Sequence, residues 1–119
     1  MYELGTQSRG GWRRLSALIV CSFGVNENYI LVDNPDYPEI AEDYVATFAK
    51  ARALPVDVFL GAHPGWYKLA QKFEKMQNRQ DGDLNPFIDR AGYAAHIDLQ
   101  EARFLSMIEQ QREVKRSRR

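Results

Sequence analysis

Pro55-Val56-Asp57-Val58-Phe59-Leu60-Gly61-Ala62-His63-Pro64-Gly65 decides how this chain is read. Val56 to Leu60 is a short apolar run rich in β-branched and aromatic residues, which predicts a buried strand. Gly61 ends it, and Pro64-Gly65 is a strong turn signal. His63 therefore falls just beyond a buried strand, on a tight loop. Loops on a rigid scaffold are where ligands and catalytic groups concentrate, and imidazole is a common metal ligand. A plain hydrogen-bonded loop histidine fits the same pattern, so the stretch alone leaves both readings open.

Immediately upstream lies a well-signalled helix. Asp36 is placed to cap it, with Glu39 as its capping-box partner and Pro38 in the first turn. Glu42 and Asp43 suit the positive end of the helix dipole. Ile40, Tyr44 and Phe48, with Ala41 and Val45, form an apolar stripe at helical spacing. Pro55 requires that the helix has ended by Leu54. Further upstream, Leu15 to Cys21 predicts the first secure strand, with Cys21 as a small buried hydrophobe. Tyr29-Ile30-Leu31-Val32 predicts a second, shorter extended run. Residues 1–14 are polar and glycine-rich and are expected to form a loose arm, with at most a short strand near Trp12.

Downstream, Trp66 to about Gln77 predicts a helix with Leu69, Phe73 and Met76 on its buried face. Asp81-Gly82-Asp83 resembles a fragment of a calcium loop, but lacks the downstream ligands and is read as a turn. Asp89 is placed to cap a final long helix through about Arg112, buried along Tyr93, Ile97, Phe104 and Ile108. His96 borders that stripe and is read as a boundary residue rather than a ligand. The order strand, short strand, helix, strand, helix, helix predicts an α/β layer with helices covering one face of a sheet.

Composition narrows the function classes. A chain of 119 residues with 45% hydrophobic residues is one globular domain. Residues 112–119 carry Arg112, Lys115, Arg116, Arg118 and Arg119 against Glu113, a net of +4 that the rest of the formally neutral chain balances. No aromatic residues interleave with this basic tail, which is expected to be a solvated, frayed helix end without nucleic-acid or membrane contact. Cys21 is the sole cysteine, so no intrachain disulfide forms. No apolar run reaches transmembrane length, and residues 1–14 lack a signal-peptide core, which as written predicts a cytoplasmic chain. The two histidines, His63 and His96, show no H-x-H, H-E-x-x-H or C-x-x-C spacing. Neither a Gly-rich phosphate loop nor a G-x-S-x-G elbow is present.

Four segments together resemble a known family. They are Cys21-Ser22-x-x-Val25; Asp33-Asn34-Pro35-x-Tyr37-Pro38-x-Ile40-x-Glu42-Asp43-Tyr44; Leu54-Pro55-x-Asp57-Val58-Phe59-Leu60-Gly61-Ala62-His63; and Asn85-Pro86-Phe87-Ile88-Asp89 with Gly92-Tyr93. This pattern, over roughly residues 17–110, resembles the C-terminal part of subclass B3 metallo-β-lactamases. The resemblance implies an α/β fold, the C-terminal half of an αβ/βα sandwich, with 1–14 an atypical arm, 15–112 the partial domain and 113–119 the basic tail. It implies a zinc-dependent hydrolase in which a zinc-bound hydroxide attacks a β-lactam amide. His63 matches a ligand of the second zinc. Ser22 matches a serine close to a metal-bound water. Gly24 falls where some members carry a serine that contacts the substrate carboxylate.

The departures shape the functional expectation. The family's H-x-H-x-D-H motif has no counterpart here, nor has the zinc histidine expected just before the strand that leads to Ser22. The chain is therefore expected to bind no zinc securely by itself and to be inactive alone. β-Lactam is a substrate only if the missing half completes the site. The alternative is a non-catalytic, self-associating α/β domain, whose sheet face, normally covered by the other half, drives homo-oligomer formation. Full-length members of the family are exported to the periplasm or secreted.

Overall fold

The computed structural model describes residues 2–8 and 11–118, with side chains from Arg14 onward. The chain is mixed α/β. Its elements are β1 (Tyr2–Ser8), β2 (Gly11–Val20), α1 (Ile40–Ala53), β3 (Val58–Gly61), a 3-10 turn (Pro64–Trp66), α2 (Leu69–Gln77) and α3 (Arg90–Ser117). Two compact units form: Met1–Ser22 with Pro55–His96, and Phe23–Leu54 with Ile97–Arg119.

The first unit carries the sheet, in the order β1-β2-β3. β1 and β2 are antiparallel, from Tyr2 opposite Ala17 to Ser8 opposite Gly11. β2 and β3 are parallel, from Ala17 opposite Val58 to Val20 opposite Gly61. The loose arm expected over 1–14 is thus strand at 2–8 and 11–14; the edge of β2 supplies a ladder that local propensity does not announce. Met1, Arg9 and Gly10 of that arm, and Arg119 of the tail, lie outside the described residues.

Side chains alternate across a strand, so register assigns the two faces. Leu15, Ala17 and Val58 are buried on one face, packed with Leu60, Phe87 and Ile88. Ile19, at the far end of the same row, is 52% exposed. On the other face Phe59 is fully buried. Its ring meets Tyr93 at 5.6 Å, His96 at 5.1 Å and Tyr67 at 6.2 Å between centroids. His96 is therefore a core residue of this unit and not a boundary residue. α2 buries Lys72 and leaves Phe73 55% exposed, so of the predicted Leu69, Phe73 and Met76 face Phe73 points out while Leu69 and Met76 are half-buried. Asp81-Gly82-Asp83 is a turn, with the Asp83 N–H donating to the Gln80 carbonyl at 3.1 Å.

In the second unit, Tyr44 and Phe48 of α1 pack on Phe104 of α3, at 5.4 and 5.7 Å between centroids. The stripes predicted on both helices hold, except that Val45 is exposed. Asp36 does not cap α1; the helix starts at Ile40 after Glu39, with no side-chain cap. Instead the Asn34 carboxamide oxygen accepts the N–H groups of Asp36 at 2.9 Å and Tyr37 at 3.0 Å, turning the chain ahead of the helix. Tyr29 to Val32 is irregular rather than a strand. Its partner is one side chain: the Gln111 amide accepts from Leu31 N–H at 2.8 Å and Val32 N–H at 3.2 Å, and donates to the Tyr29 carbonyl at 2.8 Å. α3 continues to Ser117, five residues beyond the expected Arg112, and Lys115 pairs with Asp33 instead of fraying into solvent.

Candidate functional site

β2 and β3 run parallel, so both chains leave the sheet at the same end. Val20 lies opposite Gly61, and the Ala62 N–H donates to the Val20 carbonyl at 3.1 Å, extending the pairing by one step. Ser22 and His63 each follow the last paired residue of their strand by two positions, and both are exposed. The carboxyl ends of parallel strands are the general location of ligand sites in α/β sheets. The structure thus brings the two sequence-derived candidates, Ser22 and His63, to one sheet edge. Cys21 is exposed at this end too, contrary to the buried position expected for it.

The loop that carries His63 is stiff for identifiable reasons. Pro64 opens the 3-10 turn, and the Trp66 N–H donates back to the His63 carbonyl at 3.1 Å. The indole then lies edge-on to the His63 imidazole, 4.6 Å between centroids at 74°. It also lies over His96, at 5.5 Å and 38°. A Cβ at Gly61 would approach Trp66 Cε3 to 3.1 Å, so glycine is what lets the indole close onto the strand end.

The opposite end of the same strand pair is a closed ionic network. Asp57, buried just before β3, accepts the Ser16 N–H at 2.9 Å and the Arg90 guanidinium at 2.6 Å. Its own N–H donates to the Ser16 carbonyl, and its carbonyl accepts from Asp89 N–H, both at 2.8 Å. Asp89 caps α3 as expected, accepting the Gly92 N–H at 2.8 Å, and holds the buried Lys72 ammonium at 3.0 Å. Burial raises the Asp89 carboxyl, but the Lys72 ammonium and the Gly92 N–H outweigh it and hold the group below the usual aspartate range. Lys72 also stands over the rings of Phe59 and Tyr67, 5.9 and 5.8 Å from their centroids. Asp57, Lys72 and Trp66 escaped the reading of site residues; for Asp89 and Gly92 the three-residue spacing was the available signal.

No family model matches the chain. Among solved structures it is similar to the native FEZ-1 metallo-β-lactamase from Legionella gormanii, with 33% identity and a TM-score of 0.76, covering 92% of this chain and 40% of that one. It is also similar to BJP-1, a subclass B3 metallo-β-lactamase of Bradyrhizobium japonicum, with 32% identity and a TM-score of 0.70, covering 94% of this chain and 40% of that one. The chain is a C-terminal part of the subclass B3 metallo-β-lactamase fold. It spans about 40% of the length of the metallo-β-lactamases it matches. Many residues that carry the resemblance have structural duties: Asn34 turns the chain, Asp57 ties the strand ends together, and Asp89 with Gly92 starts α3.

Whether this part of the metallo-β-lactamase fold holds a metal is a question of donors. Among the described residues, no group of three or more histidine, cysteine, aspartate or glutamate side chains is gathered as a metal site requires. His63 has an exposed imidazole at the right sheet edge, and Ser22 has a hydroxyl, which is a weak ligand beside imidazole, thiolate or carboxylate. Of the zinc ligands of the family, the resemblance places one, His63, among the described residues. No helix among them is long and apolar enough to cross a membrane.

Proposed function

We propose that this chain is one portion of a zinc-dependent β-lactam hydrolase, presenting His63 as a metal ligand and Ser22 as a hydroxyl beside the metal's water, and that it is inactive alone. The observation that carries this reading is the placement of Ser22 and His63 two residues past the paired Val20 and Gly61, with no group of three or more histidine, cysteine, aspartate or glutamate side chains gathered among the described residues. Similarity to metallo-β-lactamases over 40% of their length supports the class of reaction; the remaining ligands belong to a complementary portion of the fold. Native mass spectrometry of the purified chain with added Zn2+, paired with a β-lactam hydrolysis assay, tests it. The expected result is no retained Zn2+ and no hydrolysis by the chain alone. Two Zn2+ ions retained per chain, lost in His63→Ala, would overturn the inactive-alone part and assign ligands among the carboxylates.

A second reading, a non-catalytic self-associating domain, is favoured by Ile19, half exposed at the end of the otherwise buried Leu15, Ala17 and Val58 face. Size-exclusion chromatography at micromolar concentration separates the two: a well-folded monomer removes the second reading.

A further inference from the structure

We propose that Trp66 is the positioning residue of His63: its indole holds the imidazole in one orientation at the sheet edge before any ligand arrives. The inference rests on the reading of His63 as a ligand residue, and it concerns how that residue is prepared. An exposed histidine has three χ1 wells and a broad two-fold χ2. At the end of β3 the extended backbone of His63, at φ −115° and ψ 127°, does not by itself select a single well. The selection comes from the neighbouring ring. Trp66 meets the imidazole edge-on at 4.6 Å, a favoured aromatic geometry.

The indole is itself fixed from three sides. The backbone N–H of Trp66 donates to the His63 carbonyl at 3.1 Å, which fixes where the side chain leaves the loop. Its ring lies over His96, which is buried against Phe59. Its Cε3 edge fills the space that a Cβ at residue 61 would need. An aromatic column therefore runs from the buried Phe59 through His96 and Trp66 to the exposed His63, and transmits the rigidity of the core to one solvent-facing imidazole. Fixing χ1 alone preserves up to about threefold in affinity for whatever the imidazole binds, and fixing χ2 as well about sixfold, since those are the orientations otherwise shared.

The test is NMR on the full chain, using the χ1 couplings and ring-proton shifts of His63, assigned by comparison with His63→Ala. The expected wild-type result is a single χ1 rotamer with ring protons displaced by the indole. Trp66→Leu should give averaged couplings and undisplaced protons, and Trp66→Phe should restore one rotamer. Gly61→Ala, which keeps the indole but crowds it, should move both readouts part of the way, and covers the case in which Trp66→Leu fails to fold. Averaged couplings in the wild type, or unchanged couplings in Trp66→Leu, would overturn the proposal. The couplings are read with no metal present, so the positioning claim stands or falls apart from the ligand reading, which zinc retention tests.

Discussion

The two ends of the β2–β3 pair are built from the same strands and differ in almost every other respect. At the amino end, Asp57 is buried with its carboxylate, N–H and carbonyl all engaged, and Asp89 and Lys72 continue the network into two helices. At the carboxyl end, Cys21, Ser22 and His63 are exposed beyond the last paired residues, and the ring of Trp66 lies against the His63 imidazole. A buried charge must be partnered to be tolerated, so the amino end is specified by stability. The carboxyl end carries exposed side chains, which burial does not constrain in that way. That division is how a scaffold keeps chemistry available at one edge without loosening the other.

Breaking the amino end should have the largest effect. Asp57→Ala leaves the Ser16 N–H without its carboxylate and unties the Arg90 start of α3, at a cost of about 2–3 kcal/mol of stability, measured as a shift in urea midpoint. Gly92→Ala comes next. A Cβ there collides with the Asp89 carboxylate, so the cap and the Lys72 pair must shift together, costing about 1–2 kcal/mol in the same measurement.

The pH dependence sharpens the contrast further. The folded-state value of Asp89 is depressed, so its contribution is present above the unfolded aspartate value of about 3.9 and is lost as pH falls through the folded value. Stability measured across that acidic window should decline in the wild type, and Lys72→Met should flatten the decline. A decline unaffected by Lys72→Met would mean that other carboxylates carry it. The smallest effects belong to the carboxyl end. Ser22→Ala and His63→Ala should each change stability by less than about 1 kcal/mol, because both side chains are exposed. A larger loss in His63→Ala would make its edge-on contact with Trp66 part of the core and blur the distinction between the ends.

How far the sequence could be read follows from the range of the forces involved. The stripes of α1 and α3 and the β-branched runs of β2 and β3 are patterns over neighbouring residues, and they appear in the structure close to where they were predicted. The Asp89 cap is also local, being a contact with the N–H three residues on. Tyr29 to Val32 misled because its hydrogen-bond partner is not another strand but the amide of Gln111, about eighty residues away in the chain. Lys72 misled for a related reason. A lysine beside Phe73 on an amphipathic helix is ordinarily the exposed one of the two, and here Asp89 and two rings make a buried place for its ammonium.

What the sequence determined by itself was the kind of fold, the strand that delivers His63, the helices around it and the motifs that mark the family. Those rest on periodicity, turn chemistry and residue identity, which are properties of short stretches. Only the tertiary structure decided that Ser22 and His63 share one sheet edge, that Asp57 and Lys72 close the opposite side, and that Trp66 steadies the imidazole. The reason is register: pairing Val20 with Gly61 joins segments forty residues apart, and nothing within either segment states which residue of the other it will meet.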